Sequence, residues 1–596
     1  MNIADFHAGA EFFAHTWLGA HIVDDGVTFC TYAPAASAVA VRTLAGDTPM
    51  RRTDDPGFWQ AHVPGLGPGD PYTYLITHDG TTHEHCDPYG YGMDLRPAYR
   101  SIVRDLSFDW HDDQWMARRT TCFDEPLNIY ELHAGSWRKH SGDRQSTDVC
   151  DWYTYADLAY HLIPYLKQAG YTHVEFMPLM EHPYDGSWGY QPTGFFSPTS
   201  RYGTARQLME LVDALHVAGI GAILDFVPVH FATDPYGLGS YDGTPLFEPA
   251  DKDLAVSEWG SYNFDHARPE VRSFLQSAAN YWLGAYHFDG LRMDAISRIV
   301  YQLGDKTRGI NKPAVEFVRN MNGGLRYLNR GAMLIAEDST DYPGITKPLD
   351  QNGLGFHYKW DMGWMNDTLN FFRTPPKERS DNYHMLSFSM MYYASERFLL
   401  SLSHDEVVHE KATVVQKMWG DYDLKFPQAR ALYLYMFAHP GKKLNFMGSE
   451  LAQLREWDEC REQDWSLRQF PLHDSFYHFC TDLNALYADH PALWANDYGG
   501  NGFAWRQVAD PNNVVYAFER RSACERMLCV LNLGSGELAD YVVRLGNACR
   551  ARLLLNTDWQ QYSGSTPKDE CRWFRLKDNQ IVCTLPPFSG QLYLVE

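Results

Sequence analysis

Four short segments between residues 220 and 410 share a pattern: an apolar run that stops abruptly on ionisable side chains. "AILDFVPVH" carries Asp225 and His230, and "FDGLRMDA" carries Arg292 and Asp294. "LIAEDS" carries Glu337 and Asp338, and "LSLSHDE" carries His404, Asp405 and Glu406. One carboxylate at a strand end needs no function, because strand ends meet solvent. Four such ends, with an arginine and two histidines among them, are costly to hold together unless they are used. Arg292 and Asp294 are two residues apart, so in a strand both side chains project to one side. A metal site built from Asp225, Asp294, Glu337 and Asp405 would set Arg292 against the cation. No cysteine nucleophile motif, phosphate-cradling glycine loop or dinucleotide fingerprint is present. Two working carboxyls with an auxiliary one suit retaining glycoside chemistry. One attacks the anomeric carbon, the other protonates the leaving oxygen and later acts as base.

The elements that must position these groups are an alternation of buried strands and helices. Apolar runs at 129–133, 172–177, 221–227, 287–293, 332–336, 355–359, 398–402 and 443–447 make eight strand candidates. Most are separated by helical stretches such as 155–169, 205–218 and 315–328. Alternation implies a parallel sheet, and eight units imply a closed (β/α)₈ barrel, an α/β fold whose catalytic groups collect at the carboxyl ends of the strands. The connection 340–354, between the fifth and sixth strands, carries little helical signal. Before the barrel, runs at 27–32, 38–43, 58–63 and 72–77 lie between Gly-, Pro- and Asp-rich turns and predict a β-sandwich with no helix of useful length. After about residue 499, runs at 514–520, 527–532, 539–545, 551–556 and 591–595 predict a second antiparallel β-sandwich. The expected domains are 1–120, 121–495 and 496–596.

Composition narrows the partners. The chain has 596 residues, an apolar fraction of 45% and a net charge of −24. That sign opposes wrapping by nucleic acid, whose affinity comes from phosphate neutralisation, and docking on anionic lipid. No run approaches the roughly 18 apolar residues of a membrane helix. The charge favours solubility and bears in no way on oligomeric state. Eleven cysteines, scattered with no C-x-x-C, suggest neither a disulfide framework nor a zinc site. With no signal-peptide pattern at the start, the expected compartment is the reducing cytoplasm. The aromatic share of 15% serves the core and also supplies flat rings of the kind that line sugar sites.

"DFVPVH", "GLRMDA", "AEDS" and "SHDE" resemble the four sequence regions of the α-amylase superfamily. "IYELHAGSW", "WGYQPTGFFSPTSRYGT", "FHYKWDMGWMNDTL" and "AHPGKKLNFMGSE" resemble its glucan-branching family, over almost the whole chain. The resemblance implies an N-terminal carbohydrate-binding module, a catalytic barrel and a C-terminal β-sandwich. It implies Asp294 as nucleophile, Glu337 as general acid/base and Asp405 as the third carboxylate, holding hydroxyls of the sugar at the cleavage point. Arg292 would orient Asp294 and keep it ionised. His230 and His404 would bond hydroxyls of the same sugar, Asp225 would brace the third strand end, and Tyr190 would stack under the ring. The implied substrate is an α-1,4-glucan such as glycogen, amylose or a maltooligosaccharide, and neither a metal nor an organic cofactor is called for. Two departures stand out. The segment 297–317 is shorter than in most of the family, and Glu410-Lys411 replaces the Gly-Lys that usually follows "SHDEVVH". The rival readings are an α-amylase-type hydrolase, a transferase of short maltosyl units, and a non-catalytic glucan-binding protein.

Overall fold

The computed structural model describes residues 2–143, 145–568 and 570–596. Its centre is a closed parallel barrel of eight strands: β1 (Asn128–Leu132), β2 (His173–Phe176), β3 (Gly221–Phe226), β4 (Gly290–Met293), β5 (Met333–Ala336), β6 (Tyr358–Trp360), β7 (Phe398–Leu402) and β8 (Lys442–Phe446). Every residue of these strands is buried, which is why they read in the sequence as short apolar runs rather than as alternating patterns. The main helices of the outer ring are α1 (Tyr155–Ala169), α2 (Ala205–Val217), α3 (Pro269–Ala285), α4 (Lys312–Leu328), α5 (Met362–Arg373), α6 (Tyr422–Ala438) and α7 (Pro471–Asp489). Local chemistry sets their ends. Thr154 with Asp157, and Thr204 with Gln207, form reciprocal capping boxes at the starts of α1 and α2. Gly170, at φ +80°, closes α1 in the left-handed conformation that L side chains resist. Among the described residues no α-helix joins β5 to β6, only a 3₁₀ turn at Leu349–Gln351, as the weak helical signal there predicts.

The N-terminal unit is two packed sheets. One holds Gly19–Val23, Gly26–Tyr32, Arg51–Arg52 and Phe58–Pro64, the other Ala38–Thr43, Gly46–Pro49, Pro71–His78, Thr81–His85 and Ser101–Ile102. A six-residue helix, Ile3–Ala8, precedes them. It is not foreseen in the sequence, and it is held by α3, whose Ser273 and Gln276 side chains donate to the carbonyls of Phe6 and Gly9. A second short helix, Asp113–Arg118, lies in the linker to the barrel. The residue before it, Asp112, faces Nδ1 of His216 at 2.7 Å, and the other ring nitrogen of His216 faces Asp289 at 2.9 Å. Trp115 lies flat on that imidazole and donates to Asp289, so the linker is clamped to the start of β4.

The C-terminal unit is a six-stranded antiparallel sheet facing a two-stranded one. The expected strands appear as Val515–Arg521, Arg526–Asn532, Leu538–Arg544, Arg550–Asn556 and Ser589–Val595. Phe503–Gln507, Trp573–Arg575 and Gln580–Leu585 are additional. Asp497 ties this unit to the barrel, accepting from Arg520 at 2.6 Å and lying 3.2 Å from Lys442 at the start of β8.

Candidate active site

The strand ends converge on one buried guanidinium. Arg292, 1% exposed, donates from Nη1 to both oxygens of Asp225 at 2.8 and 2.6 Å and to Oδ1 of Asp294 at 2.9 Å. Its Nη2 lies 3.5 Å from Oε2 of Glu337. The guanidinium sits over the ring of Trp360, at the end of β6, at 4.3 Å from the centroid. A planar fork with five donors can serve three carboxylates at once, which an ammonium cannot. Neighbouring strands supply the partners, since Asp225 on β3 is directly paired in register with Arg292 on β4.

Backbone geometry sets the two central carboxyls against each other. Ala295, just past Asp294, has φ +48°, and its N–H donates to Oε2 of Glu337 at 2.6 Å. This bond joins the ends of β4 and β5 through one residue, and the Ile296 N–H reinforces it on the Glu337 carbonyl at 2.9 Å. Burial raises both carboxyls, and each neighbouring carboxylate adds to the effect while Arg292 opposes it. Glu337 is pushed up to about 7 and Asp294 to about 6. Asp405 is the most open of the three, at 39% side-chain exposure. Burial raises it too, but His404, Arg292 and Lys411 outweigh that and leave it below the usual carboxylate range. An acid and a base of separated affinity at one opening is the arrangement general acid–base chemistry needs.

The opposite wall comes from β1, β2, β3 and β7. Tyr190 donates its phenol to Asp225 at 2.5 Å and stacks on His404, with centroids 5.6 Å apart. Nε2 of His404 lies 3.3 Å from the Tyr190 hydroxyl and 3.5 Å from Oδ1 of Asp405. Its Nδ1 is 2.5 Å from Oε1 of Glu131, whose Oε2 accepts the His404 backbone N–H at 2.9 Å. Burial disfavours charge on this ring, but Asp405 and Glu131 prevail and raise it to about 9. Asp225 is pushed up to about 6 by burial, against the pull of Arg292. His230 is placed differently from the rest. Its Nε2 is spent on the Tyr190 carbonyl at 2.9 Å, and its buried Nδ1 has no partner among the described residues. Its contact here is therefore with the backbone that presents Tyr190.

The eight residues given site roles in the sequence lie at this mouth, His230 only through the Tyr190 backbone, whereas Asp338 turns to Lys359; Glu131, which holds His404, was not singled out. Its signal was a carboxylate in the middle of the otherwise apolar run "IYEL". Trp188 and Trp457 were also missed. Their rings meet at 4.7 Å beside His404, and Trp188 lies flat on His409. Glu410 has φ +62° between His409 at +56° and Ala412 at +66°, the region where a glycine is unstrained. Its side chain is exposed while its N–H donates to Glu456 at 3.0 Å, so it presents its charge to solvent. The segment 297–317 folds as a helix, Ile296–Val300, and two 3₁₀ turns leading into α4.

Three family models match the chain. They are carbohydrate-binding module 48 (isoamylase N-terminal domain) over residues 17–90, the alpha amylase catalytic domain over 158–237, and the alpha amylase C-terminal all-beta domain over 505–596. The 1,4-alpha-glucan branching enzyme GlgB of Bacillus caldolyticus is 42% identical over 611 aligned positions, covering 99% of this chain and 91% of the relative. That of Bacillus subtilis strain 168 is 41% identical over 94% of this chain and 91% of its own. Among solved structures, a putative alpha amylase from Salmonella typhimurium superposes with a TM-score of 0.72 at 19% identity, over 97% of this chain and all of its own. A type I pullulanase from Bacillus subtilis gives 0.74 at 18% identity, over all of this chain and 87% of its own. The structures share the fold; the sequence relatives are 42% and 41% identical over nearly the whole chain, and on that match the chain belongs to the 1,4-α-glucan branching enzyme family.

Proposed function

We propose that this mouth cleaves an α-1,4 linkage in a glucan and transfers the released segment to a 6-hydroxyl, forming an α-1,6 branch. An Asp294 oxygen attacks C1 of the donor sugar as the C1–O4 bond breaks, and the departing O4 takes the proton of Glu337. The donor segment is then an ester on Asp294. The 6-hydroxyl of the incoming chain gives its proton to the Glu337 carboxylate and attacks C1, and the ester bond breaks. Two inversions retain the α configuration. Arg292 keeps the leaving carboxylate of Asp294 ionised by charge-assisted hydrogen bonds. Asp405 and the His404 ring hold hydroxyls of the donor sugar, and Tyr190 offers its face beneath. In this reading Asp225 anchors Arg292 and Tyr190, and His230 anchors the Tyr190 backbone.

What supports the reading best is that one guanidinium and one backbone N–H join Asp294 to Glu337, with Glu337 raised to about 7 and so partly protonated at neutral pH. The substrate is an α-1,4-glucan, and neither a metal nor an organic cofactor takes part in the steps above. No helix among the described residues is long and apolar enough to cross a membrane, and Cys30, Cys86, Cys122 and Cys529 are buried thiols outside any disulfide, which suits the reducing cytoplasm as the compartment. The test is incubation with amylose, following iodine colour and reducing ends together. Colour loss with little gain of reducing ends, until a debranching enzyme is added, is the expected result. A parallel rise of reducing ends marks a hydrolase and overturns the reading, and binding without turnover overturns it equally.

A further inference from the structure

The connection from β5 to β6 is where the barrel breaks its alternation, and that connection and the end of β6 line a cavity of about 460 Å³. Its upper edge runs from Asp338 to Tyr342, starting one residue beyond Glu337, and Asp361 and Tyr392 form its walls. Most polar groups there are already paired. Lys359 donates to Asp338 and to the Thr340 carbonyl, both at 2.8 Å. Asp361 and Trp360 are exceptions, the Trp360 Nε1 being buried with no partner among the described residues. Oδ1 of Asp361 caps α5 by accepting the Trp364 N–H at 2.9 Å and also takes the Tyr392 hydroxyl at 3.1 Å, while its Oδ2 is buried with no partner among the described residues. A buried carboxylate oxygen with nothing to accept from is costly unless something supplies a donor. The edge of the cavity is also braced from the segment 297–317. Lys306 pairs with Asp341 at 2.6 Å, and Tyr301 meets Tyr342 edge-on at 6.0 Å.

Branching makes a demand that hydrolysis does not. The incoming chain reacts through a 6-hydroxyl on one of its internal units, so it extends past Glu337 in two directions and needs a track leading away from the mouth. The donor sugar takes the side of Tyr190, His404 and Asp405. Asp338, the next residue after Glu337 at the end of β5, lines this cavity, whose walls hold the partnerless Asp361 oxygen and two tyrosine rings suited to sugar faces. We propose that one arm of the acceptor α-glucan lies in the β5–β6 cavity, held by Asp361, Tyr392 and Tyr342. This rests on the branching reading above and names the residues that select the acceptor.

The experiment uses maltoheptaosyl fluoride as donor, whose cleavage releases fluoride, and glycogen as acceptor at sub-saturating concentration. The quantity read is the number of α-1,6 branches formed per fluoride released. Asp361→Asn keeps the helix cap, because asparagine caps as well as aspartate, and Tyr342→Ala removes a half-exposed wall. In each variant the ratio should fall about tenfold, the size of one lost hydrogen bond or ring contact, and recover as glycogen is raised. Wild-type ratios in both variants at every glycogen concentration overturn the assignment of the cavity while leaving the branching reading intact. A wild-type protein that releases fluoride and forms no branches overturns the branching reading, and this proposal with it.

Discussion

Glu131→Gln is the most informative perturbation of the site, because Glu131 touches it only through His404. Glu131 is 1% exposed and receives both the His404 ring and its backbone N–H. The difference between the ordinary 6.5 and the raised value of about 9 corresponds to about 3 kcal/mol of preference for the charged ring, shared between Asp405 and Glu131. Glutamine removes the charge and turns an N–H₂ group toward one of the two donors, so about 2–4 kcal/mol of stability should be lost. A raised histidine contributes its stability in full below pH 6.5 and loses it as pH rises through about 9. The gap in melting temperature between wild type and variant should therefore be widest near pH 6 and close toward pH 10. Branching should fall by about 10- to 100-fold at pH 6.5, because His404 is no longer held in place. A gap that does not vary with pH, together with a rate within twofold of wild type, refutes the argument.

Three further outcomes are expected. The proposed double displacement needs Asp294 ionised and Glu337 protonated, so kcat/KM should be bell-shaped with its maximum between pH 6 and 7, the limbs belonging to the pair together; a plateau reaching pH 9 contradicts this. His216→Gln strips the cation from between Asp112 and Asp289 and should cost about 3–5 kcal/mol in urea unfolding, with the catalytic pH profile unmoved. Glu410→Gly relieves a backbone at φ +62°, which costs a non-glycine residue about 1–2 kcal/mol, against about 0.5–1 kcal/mol of added chain entropy in the unfolded state. The protein should melt slightly higher with branching unchanged, and a lower melting temperature would show that Glu410 makes a contact of value.

The barrel was legible because its strands are buried on both faces. They appear as short apolar runs, and the runs stop on the charged groups that gather at the mouth, as "GLRMDA" and "LIAEDS" do. The missing helix between β5 and β6 was legible for the converse reason, since 340–354 carries no 3.6-residue periodicity. Contacts made far along the chain were hidden. Glu131 and His404 lie 273 residues apart, and nothing local in "IYEL" says which side chain the carboxylate will meet. The helix Ile3–Ala8 is too short for a periodic signal and exists by virtue of its bonds to α3. The strands Trp573–Arg575 and Gln580–Leu585 were missed because their residues are mostly exposed or half-exposed, so no apolar run marks them. The glycine that the family resemblance implies after "SHDEVVH" would suit the backbone there: the position is left-handed, a requirement on φ that Glu410 meets under strain.

The most direct test of the central claim is to trap the covalent intermediate. Glu337→Gln should still accept a segment from maltoheptaosyl fluoride, whose leaving group needs no proton, but should lack the base for the second step. Peptide mass spectrometry of the quenched protein should then find one maltoheptaosyl group on Asp294. An adduct on any other residue, or release of product with inverted anomeric configuration and no adduct, would contradict the double displacement at Asp294.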